Sequence, residues 1–439
     1  MQYRIRKQNE LKPSGVEWLG DIPKDWYLAK IKYLFNIGRG RVIGKTELND
    51  KGKYPIYSSQ TKNNGILGYL DFYDFDCKQI TWTTDGANAG TVFLREGKHN
   101  CTNVCGTLQK KKEDINLEYL LYVLSKVTPS YKRPDTNGFK IMNGEMAEIK
   151  VTFTSILEQQ KIANFLDEKS KTFDDAISKK EELILKLQKA KQSLISEVVT
   201  GKLKVIQKDG KEETIKREKK ELKNSKIDWL GDIPKDWQVK KLKYFTFKIT
   251  SGSTPLGGSA TYIDKGIPFL RSQNIHFDGL SLEKVSFISD DVHNSMKRSQ
   301  LRQKDILINI TGASIGRVTF IPKDFKEGNV NQHVCIVRIN HKKAYYKYIS
   351  LFLSTNYGQN QVFVNQVGTS REGLTFDDLG NFRIIFPSKN EQKQISKYLD
   401  SKLIHFDNTI EKTKQSITKL KLAKQSLISE AVTGKIEIL

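Results

Sequence analysis

From residue 155 onward, apolar side chains recur at alternating spacings of three and four. A heptad seam can be drawn through Ala163, Leu166, Ser170, Phe173, Ile177, Lys180, Ile184, Leu187, Lys191, Leu194 and Val198, and eight of these eleven seats are apolar. The same seam returns through Ser396, Leu399, Leu403, Phe406, Ile410, Thr413, Ile417, Leu420, Lys424, Leu427 and Ala431, again with eight apolar seats of eleven. Each stretch opens on a capping-box pattern, Ser155 with Glu158 and Ser388 with Glu391. Each runs to a glycine stop, Gly201 and Gly434, with no Pro or Gly between. The pattern predicts two helices of ~45 residues, roughly 65 Å long. So narrow an apolar strip calls for a partner helix, and the nearest partner is the other copy. An antiparallel coiled coil is therefore expected; packing of each helix on its own domain is the alternative.

Outside these stretches the pattern changes. Segments such as YPIYSSQTKNNGILGY, ITWTTDGANAGTVFL, IPFLRSQNIHFDG, DILINITGASIGRVTFIP and NVNQHVCIVRI are rich in β-branched and aromatic residues broken by Gly, Asn and Asp. They read as strands and turns with a few helices, which makes the fold class α+β. The two interiors share little sequence, but their frames repeat. WLGDIPKDW spans Trp18 to Trp26 and again Trp229 to Trp237, and AKQSLISEVVTGK (from Ala190) returns as AKQSLISEAVTGK (from Ala423). Two copies with so long a period indicate duplicated domains rather than a solenoid. The expected boundaries are a first β-rich domain at 1–154 with its helix at 155–202, and a second at 227–387 with its helix at 388–439. Residues 203–226, charge-dense and poor in apolar side chains, read as an exposed linker.

Four of the five tryptophans lie in the repeated nonapeptide. Base stacking is one role open to them. Their repetition favours a buried anchor that clasps each domain to the helical frame, since elements that read different sequences should differ.

Charge narrows the class of partner. Lys and Arg number 73 against 50 Asp and Glu, a net +23, which points to a polyanion, with nucleic acid ahead of a membrane surface. No apolar run is long enough to span a bilayer, and MQYRIRKQNE lacks a signal-peptide core, so a cytoplasmic protein is expected. The cysteines Cys77, Cys101, Cys105 and Cys335 read as reduced thiols, and Cys101 with Cys105 lacks the second pair that a zinc site needs. Gly44, Lys45 and Thr46 suggest a phosphate loop, but Arg39 occupies the place of its first glycine. No dinucleotide fingerprint, amino-methyltransferase tetrapeptide or HExxH is present. No catalytic residues and no metal ligands are assigned, and a non-catalytic chain is expected.

The order of a variable domain, then a helix opening on LEQQKIANFLD or NEQKQISKYLD, then SLISEVVTGKL or SLISEAVTGKI, resembles the specificity (S) subunits of type I restriction–modification systems. DILINITGASIGRVTFIP, NVNQHVCIVRI and REGLTFDDLGNFRIIFP add to the likeness, which covers nearly the whole chain. One departure is visible: FKIMNGEMAEIKVTFTSILEQQ has no counterpart of Pro387. The resemblance implies two target-recognition domains, each reading half of a bipartite asymmetric site in double-stranded DNA, joined by two long helices in a pseudo-two-fold antiparallel coiled coil. It implies two adenine-methyltransferase modification subunits as partners and, where present, restriction (translocase/nuclease) subunits. S-adenosylmethionine, ATP and Mg would belong to those partners, and no cofactor to this chain. A free-standing architectural protein that binds two DNA segments is the alternative.

Candidate DNA-contacting residues lie in polar, turn-rich stretches. They are Ser58, Ser59, Gln60, Lys62, Asn63, Thr84, Asp85, Asn88 and Lys140 in the first domain. In the second they are Arg271, Ser272, Gln273, Asn274, Thr311, Ser314, Arg317, Asn331, Gln332, Gln366 and Arg371. Arg can fork onto guanine, and Asn or Gln onto adenine. The competing role for each is closing a turn.

Overall fold

Both heptad stretches are helical, Ile156–Val199 and Lys389–Val432, 44 residues each. The computed structural model describes residues 2–17, 19–49, 51–136, 138–366 and 373–439, with the backbone alone at Lys45 and Gln366. Every one of the eleven seam positions in each helix is buried or half-buried, while Asp175, Lys179, Glu182, Lys186 and Lys189 between them face solvent. Two compact units result, residues 1–181 with 414–439, and residues 182–413.

Each unit holds the start of one long helix and the end of the other. In the first, Ile162, Ala163, Phe165 and Leu166 share a core with Leu427, Ile428, Ala431 and Val432, and Lys424 donates to Asp174 at 2.7 Å. In the second, Leu194, Ile195, Val198 and Val199 share a core with Ile395, Tyr398, Leu399 and Leu403, and Lys191 pairs with Asp407. Start lies against end in both, so the helices pack antiparallel, as the sequence predicts.

The repeated nonapeptide meets both helix ends. Trp26 is fully buried and its indole N–H donates to Glu158 Oε2 at 2.9 Å; Trp237 does the same to Glu391 at 3.0 Å. Arg6 and Arg217 bind the other oxygen of the same carboxylates, at 2.8 and 3.2 Å. The expected capping box is therefore only half made. Ser155 and Ser388 accept the N–H of Glu158 and Glu391, but the carboxylates turn to the indole and guanidinium instead of the cap. At the opposite helix end, Gly201 and Gly434 take φ of 77° and 70°. A Cβ there would lie 2.4 Å from Pro234 or Pro23 of the nonapeptide, so close approach as well as backbone sign demands glycine. The anchor reading holds for Trp26 and Trp237. It fails for Trp229, which is 39% exposed and lies tilted beside Tyr357, its indole turned out of the clasp. Trp18 lies outside the described residues.

The second helix residue of the EQ pair is also buried. Gln159 accepts from the backbone N–H of Asn116 at 2.9 Å, and Gln392 from that of Tyr345 at 2.8 Å. These residues cap the helices Leu117–Val127 and Tyr346–Ser354, so each interior is tied to the start of its own long helix.

The two interiors follow one topology despite their dissimilar sequences. The first builds a sheet in the order Val92–Arg95, Gln79–Thr83, Cys105–Lys110, Phe35–Arg39. The second builds Val318–Phe320, Ile306–Asn309, Val334–Ile339, Thr246–Ser251 in the same order. Beside each lies a second sheet, of four strands in the first unit and three in the second, with one parallel pair, Tyr54–Tyr57 with Lys98–Cys101 and Ile267–Leu270 with Asn329–Val330.

Residues 203–226 are exposed or half-buried throughout, as expected, but they are built as regular structure and not as a loose linker. Leu203–Lys208 and Lys211–Lys216 form an antiparallel hairpin about Asp209 and Gly210, both at positive φ, and Leu203 and Val205 pack on the core around Trp237. In the first unit the matching ribbon pairs Tyr3–Ile5 with Ile436–Ile438, the two ends of the chain.

Candidate nucleic-acid interface

In each unit three turns come together at the edge of the two sheets. The first follows the parallel strand and holds residues 58–61, or 271–274. The second is a loop with the shared pattern Gly-Ala-x-x-Gly, from Gly86 to Gly90 or Gly312 to Gly316. Its glycines take φ of 90° and 86°, or 76° and 83°, and it closes with Gly90 N–H to Thr83 O or Gly316 N–H to Asn309 O, each at 2.8 Å. The third holds residues 102–104, or 331–333.

The same backbone hydrogen bonds lock the turns together. Thr102 N–H donates to Tyr57 O at 2.9 Å, and Asn331 N–H to Leu270 O at 3.0 Å. Thr84 N–H donates to Val104 O at 3.1 Å, and Ile310 N–H to His333 O at 3.0 Å. Ile141 N–H donates to Thr84 O at 2.8 Å, and Leu374 N–H to Ile310 O at 2.9 Å. Gly40 and Gly252 let a neighbouring strand run alongside; a Cβ would come within 2.1 Å of Cys101 O or 1.8 Å of Val330 O.

The scaffold is thus common, and its side chains differ. In the first unit Ser58 Oγ accepts from Thr102 Oγ1 at 3.1 Å. Arg39 reaches across to the Asn103 carbonyl, to Thr84 Oγ1 at 3.5 Å and to Asp85 at 3.9 Å. Lys140 sits in register with Asp85 on the adjoining ribbon and pairs with Asp135 at 3.2 Å. Asn88 is exposed on the Gly-Ala-x-x-Gly loop, and Lys62 and Asn63 are exposed at a hairpin tip where Asn63 and Asn64 take φ of 49°. Ser59 and Gln60 are half-buried, and Gln60 donates within its own hairpin to Ile66 O. Thr84 is fully buried, so its side chain serves the turn.

Arg95 underlies this surface. It is 2% exposed, stacks 3.6 Å from the Tyr57 ring centroid, and donates to Asn64 O at 2.8 Å and Thr81 Oγ1 at 3.2 Å. Burial pulls its pKa down from the usual guanidinium value. It props the 58–66 hairpin from below and is not itself presented to solvent.

In the second unit Asn309 Nδ2 donates to Ser272 O at 2.8 Å and Ser314 Oγ at 2.9 Å, joining two turns from beneath. Arg271, Ser272, Thr311, Ser314 and Arg317 are half-buried, and Gln273 and Gln332 are exposed. Asn274 and Asn331 are buried at 1% and 9% exposure; Asn274 accepts from Arg271 N–H, and Asn331 from His333 N–H. Both therefore close turns. Gln366 ends the helix Asn356–Gln366, and only its backbone is described; Arg371 lies outside the described residues. Sequence reasoning passed over Arg39, Asn103, Thr254 and His333. Their signal was position: Arg39 and Thr254 lie within two residues of Gly40 and Gly252, and Asn103 and His333 lie in the turn that leads from one sheet to the other.

Among the described residues no His, Cys, Asp and Glu cluster could hold a metal ion, and no helix is long and apolar enough to cross a membrane. The arrangement is chemically a set of amide and hydroxyl groups with charged Arg, Lys and Asp side chains, on turns tied by backbone hydrogen bonds. It can donate and accept hydrogen bonds in a fixed geometry.

Comparison with known proteins follows the same division. The family model of the type I restriction modification DNA specificity domain matches twice, at residues 23–188 and 234–422. A putative type I specificity subunit N-terminus from Mycoplasma pneumoniae is 45% identical over 139 residues, 31% of this chain and 74% of that protein. The type I restriction enzyme MjaVIII specificity subunit of Methanocaldococcus jannaschii is 27% identical over 436 residues, covering 95% of this chain and 94% of that one. A chain solved in a study of complex assembly and conformational transition of the type I R-M system aligns with a TM-score of 0.68 at 14% identity, over 94% of this chain and 99% of that chain.

Proposed function

This chain belongs to the type I restriction–modification DNA specificity family, and we propose that each of its two interiors reads one half of a bipartite, asymmetric DNA site. The first recognition domain is residues 1–154 and the second 227–387. One observation carries the reading: the backbone bonds that lock the three turns together match in both units, while the exposed side chains differ. A common scaffold with different tips suits two readers of one polymer that select different letters.

Affinity would come from the excess of Lys and Arg on the phosphates, with Lys62, Lys140, Arg271 and Arg317 nearest the turns, and would fall steeply with salt. Selection would come from Ser58, Ser59, Asp85 and Asn88 in one unit, and from Ser272, Gln273, Thr311, Ser314 and Gln332 in the other. The chain supplies the address. Two adenine-methylating modification subunits, and restriction subunits where present, would supply the chemistry with S-adenosylmethionine, ATP and Mg bound to them, in the cytoplasm. In support, the curated relatives are named as specificity subunits of type I restriction enzymes.

Methylome sequencing of a host with and without this chain tests the proposal. Loss of one two-part adenine motif on deletion is the expected result. An unchanged methylome in a host that retains the modification subunits would refute it.

A further inference from the structure

The turn at residues 331–333 carries a hydrogen-bond relay that its counterpart in the first unit lacks. Thr254 Oγ1 bonds Gln332 Oε1. Gln332 Nε2 lies 3.1 Å from His333 Nε2, and His333 Nδ1 lies 2.6 Å from Thr311 Oγ1. The relay joins the strand extension after Gly252, the 331–333 turn and the Gly-Ala-x-x-Gly loop. An imidazole that accepts on one nitrogen donates on the other, so the chain of bonds has a single sense at a time. In either sense the Gln332 amide uses one N–H or lone pair at each end. One N–H and one oxygen lone pair are left over on an exposed side chain. In the first unit Asn103 and Val104 take these places; Val104 has no ring to bond, and Arg39 donates to the backbone carbonyl of Asn103.

We infer that Gln332 is a specificity-determining residue that selects an adenine in the second half-site, and that Thr254 and His333 are positioning residues that hold its amide for that purpose. The chemistry of the base edges carries the choice. In the major groove guanine offers two acceptors, thymine one acceptor, and cytosine one donor. Adenine alone offers an acceptor at N7 beside a donor at N6, the complement of the free half of the amide. A free glutamine would have to freeze several torsions and its amide orientation on binding; here two neighbours have already done so.

The inference rests on the proposed function, and one experiment separates the two. The chain, its Gln332→Ala, Gln332→Glu, Thr254→Val and Thr254→Ser variants are each co-produced with the modification subunits in a host without other adenine methylation. Methylomes are then sequenced, and duplexes carrying each base at each position compete for binding. For the unmodified chain, one position of one half-site should require adenine. Gln332→Ala should lower that preference about tenfold or more and leave the other half-site untouched. Gln332→Glu, which offers only acceptors, should move the preference at that position toward cytosine. Thr254→Val should relax the same position, and Thr254→Ser should not. A two-part motif that survives both Gln332 variants letter for letter, or a relaxed position that had selected another base, overturns the assignment. So does loss of all methylation by the Gln332 variants with no position relaxed by Thr254→Val. An unmodified complex that writes no two-part motif overturns the proposed function itself.

Discussion

The clasps and the reading turns age differently between the two units. At the clasps, Trp26, Glu158, Arg6, Pro23 and Gly434 in one unit match Trp237, Glu391, Arg217, Pro234 and Gly201 in the other, with indole–carboxylate distances of 2.9 and 3.0 Å. At the turns only the backbone is kept. Val42, Asn103 and Val104 stand where the second unit has Thr254, Gln332 and His333. A clasp must fit a helix that is the same in both halves. A turn must fit a base pair that is not. Packing fixes the first, because any change of volume at a fully buried tryptophan is felt throughout the core.

Breaking the clasp should give the largest effects, and equal ones. Trp26→Ala and Trp237→Ala should each destabilise by about 3–5 kcal/mol in denaturant unfolding. A large difference between the two would mean that the clasps are not equivalent. Glu158→Ala and Glu391→Ala leave a buried indole N–H and a guanidinium without their acceptor, and should cost about 1–3 kcal/mol each.

A smaller effect sharpens the comparison at one place where the clasps diverge. The Tyr348 hydroxyl lies 2.9 and 2.8 Å from the carbonyls of Val199 and Ile385, which share its one proton. Tyr119 instead meets Thr152, whose hydroxyl donates to Val432 O at 2.7 Å. Tyr348→Phe removes that proton from the helix end and should cost about 1 kcal/mol more than Tyr119→Phe, where Thr152 still donates to Val432 O.

The smallest effect is electrostatic. Burial, with Asp236 nearby, raises the Glu391 carboxyl above its ordinary value. A raised folded-state pKa favours folding below the unfolded value, and that contribution is lost as pH climbs through the folded one. Glu391→Gln keeps an acceptor for Trp237 and should flatten the fall in stability as pH rises above the ordinary carboxylate range. A slope unchanged from the unmodified chain would contradict this.

Much of the frame was legible because it is periodic or repeated. The heptad seams needed only an apolar count, and every seat they named is buried or half-buried. Trp26 and Trp237 were legible as anchors because both copies of the nonapeptide are letter-identical. Trp229 misled for the same reason: repetition marks a shared frame and says nothing about which residue of a motif points inward. The hairpin at 203–216 was hidden by its charge. Asp209 with Gly210 is a turn signal, but the lysines on both strands outweighed the few apolar residues that face Trp237. The common topology of the interiors was harder still. Gly86 to Gly90 and Gly312 to Gly316 spell the same loop, yet the strands around them keep only their burial and not their letters. Of the candidate contact residues, Gln332 and Asn88 could be picked by type, and both are exposed. Thr84, Asn274 and Asn331 could not be told from them, because a polar residue that closes a turn and one that faces a partner look alike in sequence.

The central claim is that the frame is indifferent to which interior it holds, and one exchange tests it directly. Replacing Gln238–Phe386 by Tyr27–Phe153 gives a chain with two copies of the first interior between unchanged clasps. Sequencing the methylome written by the resulting complex should return an interrupted palindrome, with the first half-site facing its own complement. A motif that stays asymmetric would contradict the account.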